Sequence, residues 1–192
     1  MQALVLNNSD PQYRTDYPQP QIPIGEALIR PARLGVCSTD IELCRGYMGF
    51  NGVLGHEFVG VVEQVYDGAS EAHQQWIGKR VVGGINCVCG KCDMCQRGLS
   101  THCRDRTVLG IQNRDGCFAD YFTLPIANLL EVPDHVDDDH AVFTEPVAAA
   151  CQALAQLHIE SKPYITVLGD GRLGLLTAQV LARANASVRV VG

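Results

Sequence analysis

Cys89, Cys92, Cys95 and Cys103 follow one another as C-x2-C-x2-C-x7-C, and no other feature of the chain limits its folding as tightly. Four thiolates this close in sequence, with Gly90 and Gly98 to permit tight turns, can converge on one ion as a closed S4 tetrahedron. Zinc is the natural occupant of such a set. A closed set leaves no position for water or substrate, so the spacing predicts a metal that holds a lobe together and takes no part in chemistry. An iron–sulfur cluster is the rival, since C-x2-C-x2-C also begins the bacterial ferredoxin run. That run continues x3-C-P, whereas here seven residues intervene and Arg104 follows Cys103. The bland alternative for a cysteine, a buried free thiol, suits Cys44 and Cys151 better than this cluster.

Nine cysteines is an odd count, and their clustering suits a reduced, cytoplasmic compartment with metal better than a disulfide framework. The first residues, Met1-Gln2-Ala3-Leu4-Val5-Leu6, carry no basic region and no long apolar core, so no signal peptide is expected. No apolar run approaches the roughly 18 residues that span a bilayer, which argues against a membrane. The net charge of −6, without a basic block, argues against a nucleic-acid partner.

The first two-thirds reads as β-rich. Ala27–Arg30, Phe58–Val65, Arg80–Val82 and Phe118–Leu124 are short apolar segments between Gly, Pro and Asp turns, as in a small barrel with inserted loops. After Asp137-Asp138-Asp139 the pattern changes. Thr144 is the expected N-cap of a helix with Glu145 and Pro146 in its first turn. Val147, Ala150, Cys151, Leu154 and Leu157 recur at helical spacing until Lys162-Pro163 breaks it. Tyr164–Leu168 then reads as a buried strand, and Gly169, Gly171 and Gly174 form G-x-G-x-x-G. A second helix carries Leu173, Leu176, Thr177, Val180, Leu181 and Ala184 on one face, and Ser187–Val191 begins another strand.

In this β-turn-α-β context the glycine motif predicts a dinucleotide site. Gly169 permits the turn, Gly171 lets the backbone approach a pyrophosphate, and Gly174 allows close strand–helix packing. Arg172 and Leu173 open the helix whose N-terminus meets the phosphates. The acidic residue that separates NAD from NADP falls at or just past Gly192, so both remain open. The expected division is a β-rich domain over 1–145, a connecting helix over 146–163 and the first part of a Rossmann domain over 164–192. A complete dinucleotide domain needs a second half, so the sequence is expected to be part of a longer one.

Cys37-Ser38-Thr39-Asp40 and Gly55-His56-Glu57 form a second set. A catalytic zinc on Cys37 and His56 needs one more protein ligand and an open position. Glu57 and Glu145 both offer a carboxylate. Asp40 can hold the far nitrogen of His56, and Thr39 can carry a proton.

Together these pieces resemble the zinc-dependent medium-chain alcohol and polyol dehydrogenases, nearly end to end and in that family's order. Pro23–Ile29 is similar to its early strand, Gly35–Asp40 to its first zinc-ligand loop, and Gly55-His56-Glu57-Phe58-Val59-Gly60 to its G-H-E-x-x-G signature. The four-cysteine lobe, Gly116-Cys117-Phe118-Ala119-Asp120-Tyr121, Glu145-Pro146 and the glycine turn follow. Glu145-Pro146 resembles the sorbitol- and threonine-dehydrogenase branch. Cys117 stands where the common pattern has its second glycine, and Glu42 where relatives often have a histidine that ends a proton relay.

The resemblance implies an α/β protein with a β-rich part: a GroES-like β-barrel catalytic domain, then the start of a Rossmann domain, with the active site between them. It implies a zinc on Cys37, His56 and Glu57, with Glu145 reaching the metal directly or through water and Phe118 lining the substrate pocket. The implied chemistry is metal-assisted hydride transfer between a small alcohol or polyol and NAD or NADP, Thr39 passing on the proton. A homo-oligomer, dimer or tetramer, is implied for the full-length protein. A non-catalytic zinc-stabilised binding module, or an inactive fragment of such a dehydrogenase, is the remaining rival.

Overall fold

Alternation of apolar and polar residues builds one unit of the chain, Met1–Val142, from antiparallel sheets. The structure, a computed structural model, describes residues 1–157, 159 and 161–192. β1 (Ala3–Asn7) turns through Asn8 and Ser9, both at positive φ, onto β2 (Asp10–Arg14). β3 (Glu26–Gly35) leads into α1 (Ser38–Cys44), and β4 (Gly52–Val53) returns to pair with β1. β5 (Glu57–Val65), α2 (Glu71–Gln74) and β6 (Arg80–Gly83) follow. β7 (Asn86–Cys87) and β8 (Thr107–Val108) pair at the base of a lobe that holds α3 (Asp93–Gln96). β9 (Phe122–Pro125) and β10 (Leu129–Glu131) complete a five-stranded sheet ordered β10-β6-β5-β3-β9, and α4 (Asp138–Ala141) follows.

The core sits on the five-stranded sheet. Ile29, Phe58, Val62, Val81, Phe122 and Leu124 are all buried there, and the Phe58 and Phe122 rings meet edge to face at 4.7 Å. Each such side chain stabilises the fold by about 1.5–3 kcal/mol. Pro31 lies inside β3, where it can donate no ladder bond. The β3–β5 register shifts between Pro31 and Arg33, and β9 pairs only as far as Ile29, so the proline occupies an irregularity. Arg114 clamps the lobe's base to the sheet. It donates to both Glu26 carboxylate oxygens at 2.7 and 2.9 Å and to Thr107 Oγ1 at 3.1 Å.

Phe118–Leu124 is not one strand. Residues 118–120 pair with the chain's start, Leu4 N donating to Phe118 O at 2.8 Å and Asp120 N to Gln2 O at 3.0 Å, before β9 joins the larger sheet. The segment crosses between two sheets, which a continuous apolar run does not reveal.

In the other unit, Phe143–Gly192, α5 (Thr144–Gln156) packs on α6 (Arg172–Arg183). β11 (Tyr164–Leu168) and β12 (Ser187–Val191) pair in parallel from Tyr164↔Ser187 to Leu168↔Val191. Four expectations need correction. Thr144 is inside the helix and is not its N-cap, because Val142 and Phe143 already have right-handed helical backbone. The helix expected over 146–163 stops at Gln156, where Leu157 is extended. Ser161 takes φ 60, which a helix running to Lys162 could not contain; residues 158 and 160 of that stretch lie outside the described ones. β11 is not buried on both faces: Ile165 and Val167 are half-buried, but Tyr164 and Leu168 are 70% and 83% exposed. Leu173, expected on the packed face of α6, is likewise exposed. Among the described residues no helix is long and apolar enough to cross a membrane.

Candidate metal centres and cofactor turn

Gly90 and Gly98 both take positive φ, 69° and 74°, and fold the lobe so that its four sulfurs face inward. One Sγ from each of Cys89, Cys92, Cys95 and Cys103 lies within 4.8 Å of all the others. Backbone N–H groups cap them, Cys89 N donating to Cys103 Sγ at 3.3 Å and Cys92 N to Cys89 Sγ at 3.4 Å. Asp93 and Arg104 brace the lobe with paired hydrogen bonds at 2.8 and 3.0 Å. The backbone at Arg104 and Cys95 draws the Cys92 thiol down to about 6. Desolvation and the neighbouring Cys103 and Cys92 thiols push Cys95 up to about 12. Four thiolates cannot share this space bare, and a dication would relieve their repulsion, so the donor set fits zinc. The other thiols differ from expectation in one respect. Cys44 is half-buried, but Cys151 is exposed and is no core thiol.

The second set is assembled from distant segments. β3 delivers Cys37 just beyond its end, and Asp40 Oδ2 accepts the Cys37 N–H at 2.8 Å, fixing the entry to α1. Gly55, at φ +94, turns the chain so that buried His56 precedes the first residue of β5, Glu57. The β3–β5 register pairs Gly35 with Glu57. One ligand atom each of Cys37, His56 and Glu57 then lies within 4.8 Å of the other two. His56 Nδ1 faces Asp40 Oδ1 at 3.4 Å, and neither buried atom has a hydrogen-bond partner among the described residues. Nε2 is thereby the nitrogen available to a metal.

The electrostatics of this set favour a cation. Burial alone would lower the pKa of His56, but Asp40 and then Cys37 outweigh it and raise it to about 9. Asp40 and Cys37 thus favour positive charge at this position. The set of one sulfur, one imidazole and one carboxylate therefore fits a zinc ion chemically. Thr39 Oγ1 lies 3.7 Å from Cys37 Sγ. Glu42 is half-exposed and paired with Arg45 at 2.7 Å. Phe118 is half-buried, its ring lying where a Cβ on Gly55 would be. Glu145 lies in the first turn of α5, in the other unit.

Three glycine supports of this set escape sequence reasoning. A Cβ on Gly35 would collide with the Glu57 carboxylate, so the glycine there makes room for that side chain. Gly110 and Gly116 press on the Gly55 carbonyl in the same way, leaving no space for a side chain at either. Cys117 replaces glycine without backbone strain, since its φ is not positive. Its thiol is fully buried, and burial holds it well above the usual pKa. Only its departure from the family pattern marked it beforehand.

At the glycine turn, Gly169 takes φ +107 and donates its N–H to Val191 O at 2.7 Å. Gly174 packs on the Gly169 carbonyl, where no Cβ would fit. Gly171 is the N-cap of α6, with extended backbone, no side-chain cap and no atom within 4 Å of an added Cβ. Its surroundings are open to a ligand at the helix N-terminus, beside Arg172 and Leu173. These features fit a dinucleotide pyrophosphate.

Comparison with known proteins follows these two units in order. The family model described as the alcohol dehydrogenase GroES-like domain matches residues 23–134. L-threonine 3-dehydrogenase of Streptomyces avermitilis is 35% identical over 97% of this chain and 55% of its own length. Galactitol-1-phosphate dehydrogenase of Escherichia coli superposes with a TM-score of 0.84 at 26% identity, covering 99% of this chain and 55% of that one. Acetophenone reductase of Geotrichum candidum, solved in complex with NAD, gives a TM-score of 0.85 at 27% identity, over 98% and 57%. The chain spans about half the length of these relatives.

Proposed function

The chain belongs to the medium-chain zinc alcohol dehydrogenase family, and from that premise we propose that it is a zinc-dependent oxidoreductase moving a hydride between the CH–OH carbon of a small alcohol or polyol and NAD or NADP. The observation that carries this reading is the convergence of Cys37, His56 and Glu57, with Thr39 beside the sulfur. Three protein ligands of mixed type suit a catalytic zinc, which keeps a further position for water or substrate. Their thiolate and carboxylate together match the charge of a dication. When bound, zinc supplies Lewis acidity toward the alcohol oxygen and the nicotinamide accepts the hydride.

The chain's own groups do the rest. Asp40 orients both ligand segments at once, through the Cys37 backbone and the His56 ring. The Thr39 hydroxyl, both donor and acceptor, passes the substrate proton toward solvent. Phe118 lines the alcohol pocket. Gly169, Gly171, Arg172, Leu173 and Gly174 receive the pyrophosphate. Cys37, His56 and Glu57 would hold the zinc, and Glu145 would be the alternative carboxylate for it. Cys89, Cys92, Cys95 and Cys103 hold a second zinc that is purely structural.

The test is oxidation of L-threonine, a diol and a polyol with NAD and with NADP by the zinc-loaded protein, native against Cys37→Ser. Nicotinamide reduction that the variant loses is the expected result. Reduction that survives loss of that zinc, or no turnover on any alcohol by protein holding both zincs, would contradict the reading.

A further inference from the structure

The two carbonyls that bracket His56 in sequence both end on residue 117. Cys117 N donates to Gly55 O at 3.0 Å, and the Cys117 thiol donates to Glu57 O at 3.7 Å. Gly116 N and Phe118 N extend the same ladder to Val53 O and Leu54 O, at 2.8 and 2.9 Å. Cys117 is fully buried, and its sulfur is not one of the three converging ligand atoms. The bond to Glu57 is the one part of this contact that a glycine could not make.

His56 and Glu57 are neighbours, and in an extended strand neighbours point to opposite faces. Both can offer an atom to one ion only if the backbone around them is held away from regular strand geometry. We propose that Cys117 is a positioning residue whose thiol, bonded to the Glu57 carbonyl, fixes the backbone beside the ligand pair so that imidazole and carboxylate meet one metal. This rests on reading Cys37, His56 and Glu57 as a zinc site. An S–H···O bond is weak, so its effect falls on ligand geometry and not on folding.

Cobalt(II) is the probe, titrated into the chain after mild chelation that leaves the lobe zinc in place, as metal analysis verifies. Its visible bands report the geometry of Cys37, His56 and Glu57, and Cys37→Ser identifies them by removing them. Cys117→Ala deletes the donor and keeps the backbone. It should bind cobalt about threefold to tenfold more weakly, with shifted bands, at the low edge of what outer partners of metal ligands contribute. Cys117→Ser, which restores a donor, should recover part of the loss, with lobe zinc and melting temperature unchanged in both variants. Native affinity and bands in Cys117→Ala would overturn the positioning role alone. So would equal weakening in both variants together with loss of lobe zinc, which signals general packing damage. Absence of bands in the native chain would remove the zinc reading itself, and the role with it.

Discussion

Cys89, Cys92, Cys95 and Cys103 occupy one short loop, whereas Cys37, His56 and Glu57 reach one another only after β3 and β5 have paired. In the lobe, the groups that cap the sulfurs are backbone donors from the same short stretch of chain, Cys89, Cys92 and the backbone at Arg104 among them. Around the other set the supports come from elsewhere: Asp40 on α1, Gly35 on β3 and Cys117 on the segment that leads into β9. A locally built set can be closed and saturated, which suits an ion that only holds the chain. A set built from separate segments can leave one direction open, which suits an ion that works. The same difference decides where damage shows, in stability for the first and in turnover and ligand geometry for the second.

That contrast can be broken most forcefully at His56. His56→Ala should reduce alcohol oxidation by about a thousandfold, the several kcal/mol of charge stabilisation that a catalytic metal supplies, with little change in melting temperature. Steady-state kinetics beside a melting curve checks it; a large melting shift would erase the distinction between the two sets. Cys92→Ser or Cys103→Ser should do the reverse, releasing the lobe metal and lowering the melting temperature by about 5 °C or more. Calorimetry with metal analysis would show it.

A subtler break lies at Gly35. Gly35→Ala drives a methyl into the Glu57 carboxylate and should weaken metal binding at that set by about tenfold while leaving the lobe intact. Competition with a chelator measures it. The smallest expected effect concerns the two carboxylates. Glu57→Gln should weaken zinc more than Glu145→Gln, by about threefold, although both should lower activity. The reverse order in a zinc titration would make Glu145 the permanent ligand.

The lobe was legible because its information is local: spacing and two glycines define it. The glycine turn was legible for the same reason, Gly169 and Gly174 meeting backbone requirements that no other residue satisfies. Cys37, His56 and Glu57 could be named one by one, but their convergence depends on strand register and on the Gly55 turn. Gly35 acts by what it touches across the β3–β5 pair and Cys117 by what it touches from a distant segment, and no short-range pattern carries that. Helix ends depart from the sequence pattern where the backbone overrides side-chain preference. Thr144 has the chemistry of an N-cap, yet Val142 and Phe143 are already helical, so it has no helix to begin. Leu168 and Leu173 are apolar but exposed, because burial is set by what covers a face and not by the residue alone.

Zinc stoichiometry separates the two metal sets and their roles in a single measurement. Purified protein, its Cys37→Ser variant and its Cys92→Ser variant would be compared by elemental analysis, each beside its melting curve. The account predicts two zincs per native chain. It predicts one in Cys37→Ser with the native melting temperature, and one in Cys92→Ser with a lowered melting temperature. A Cys37→Ser protein that still holds two zincs, or a native chain that holds only the lobe ion, would contradict it.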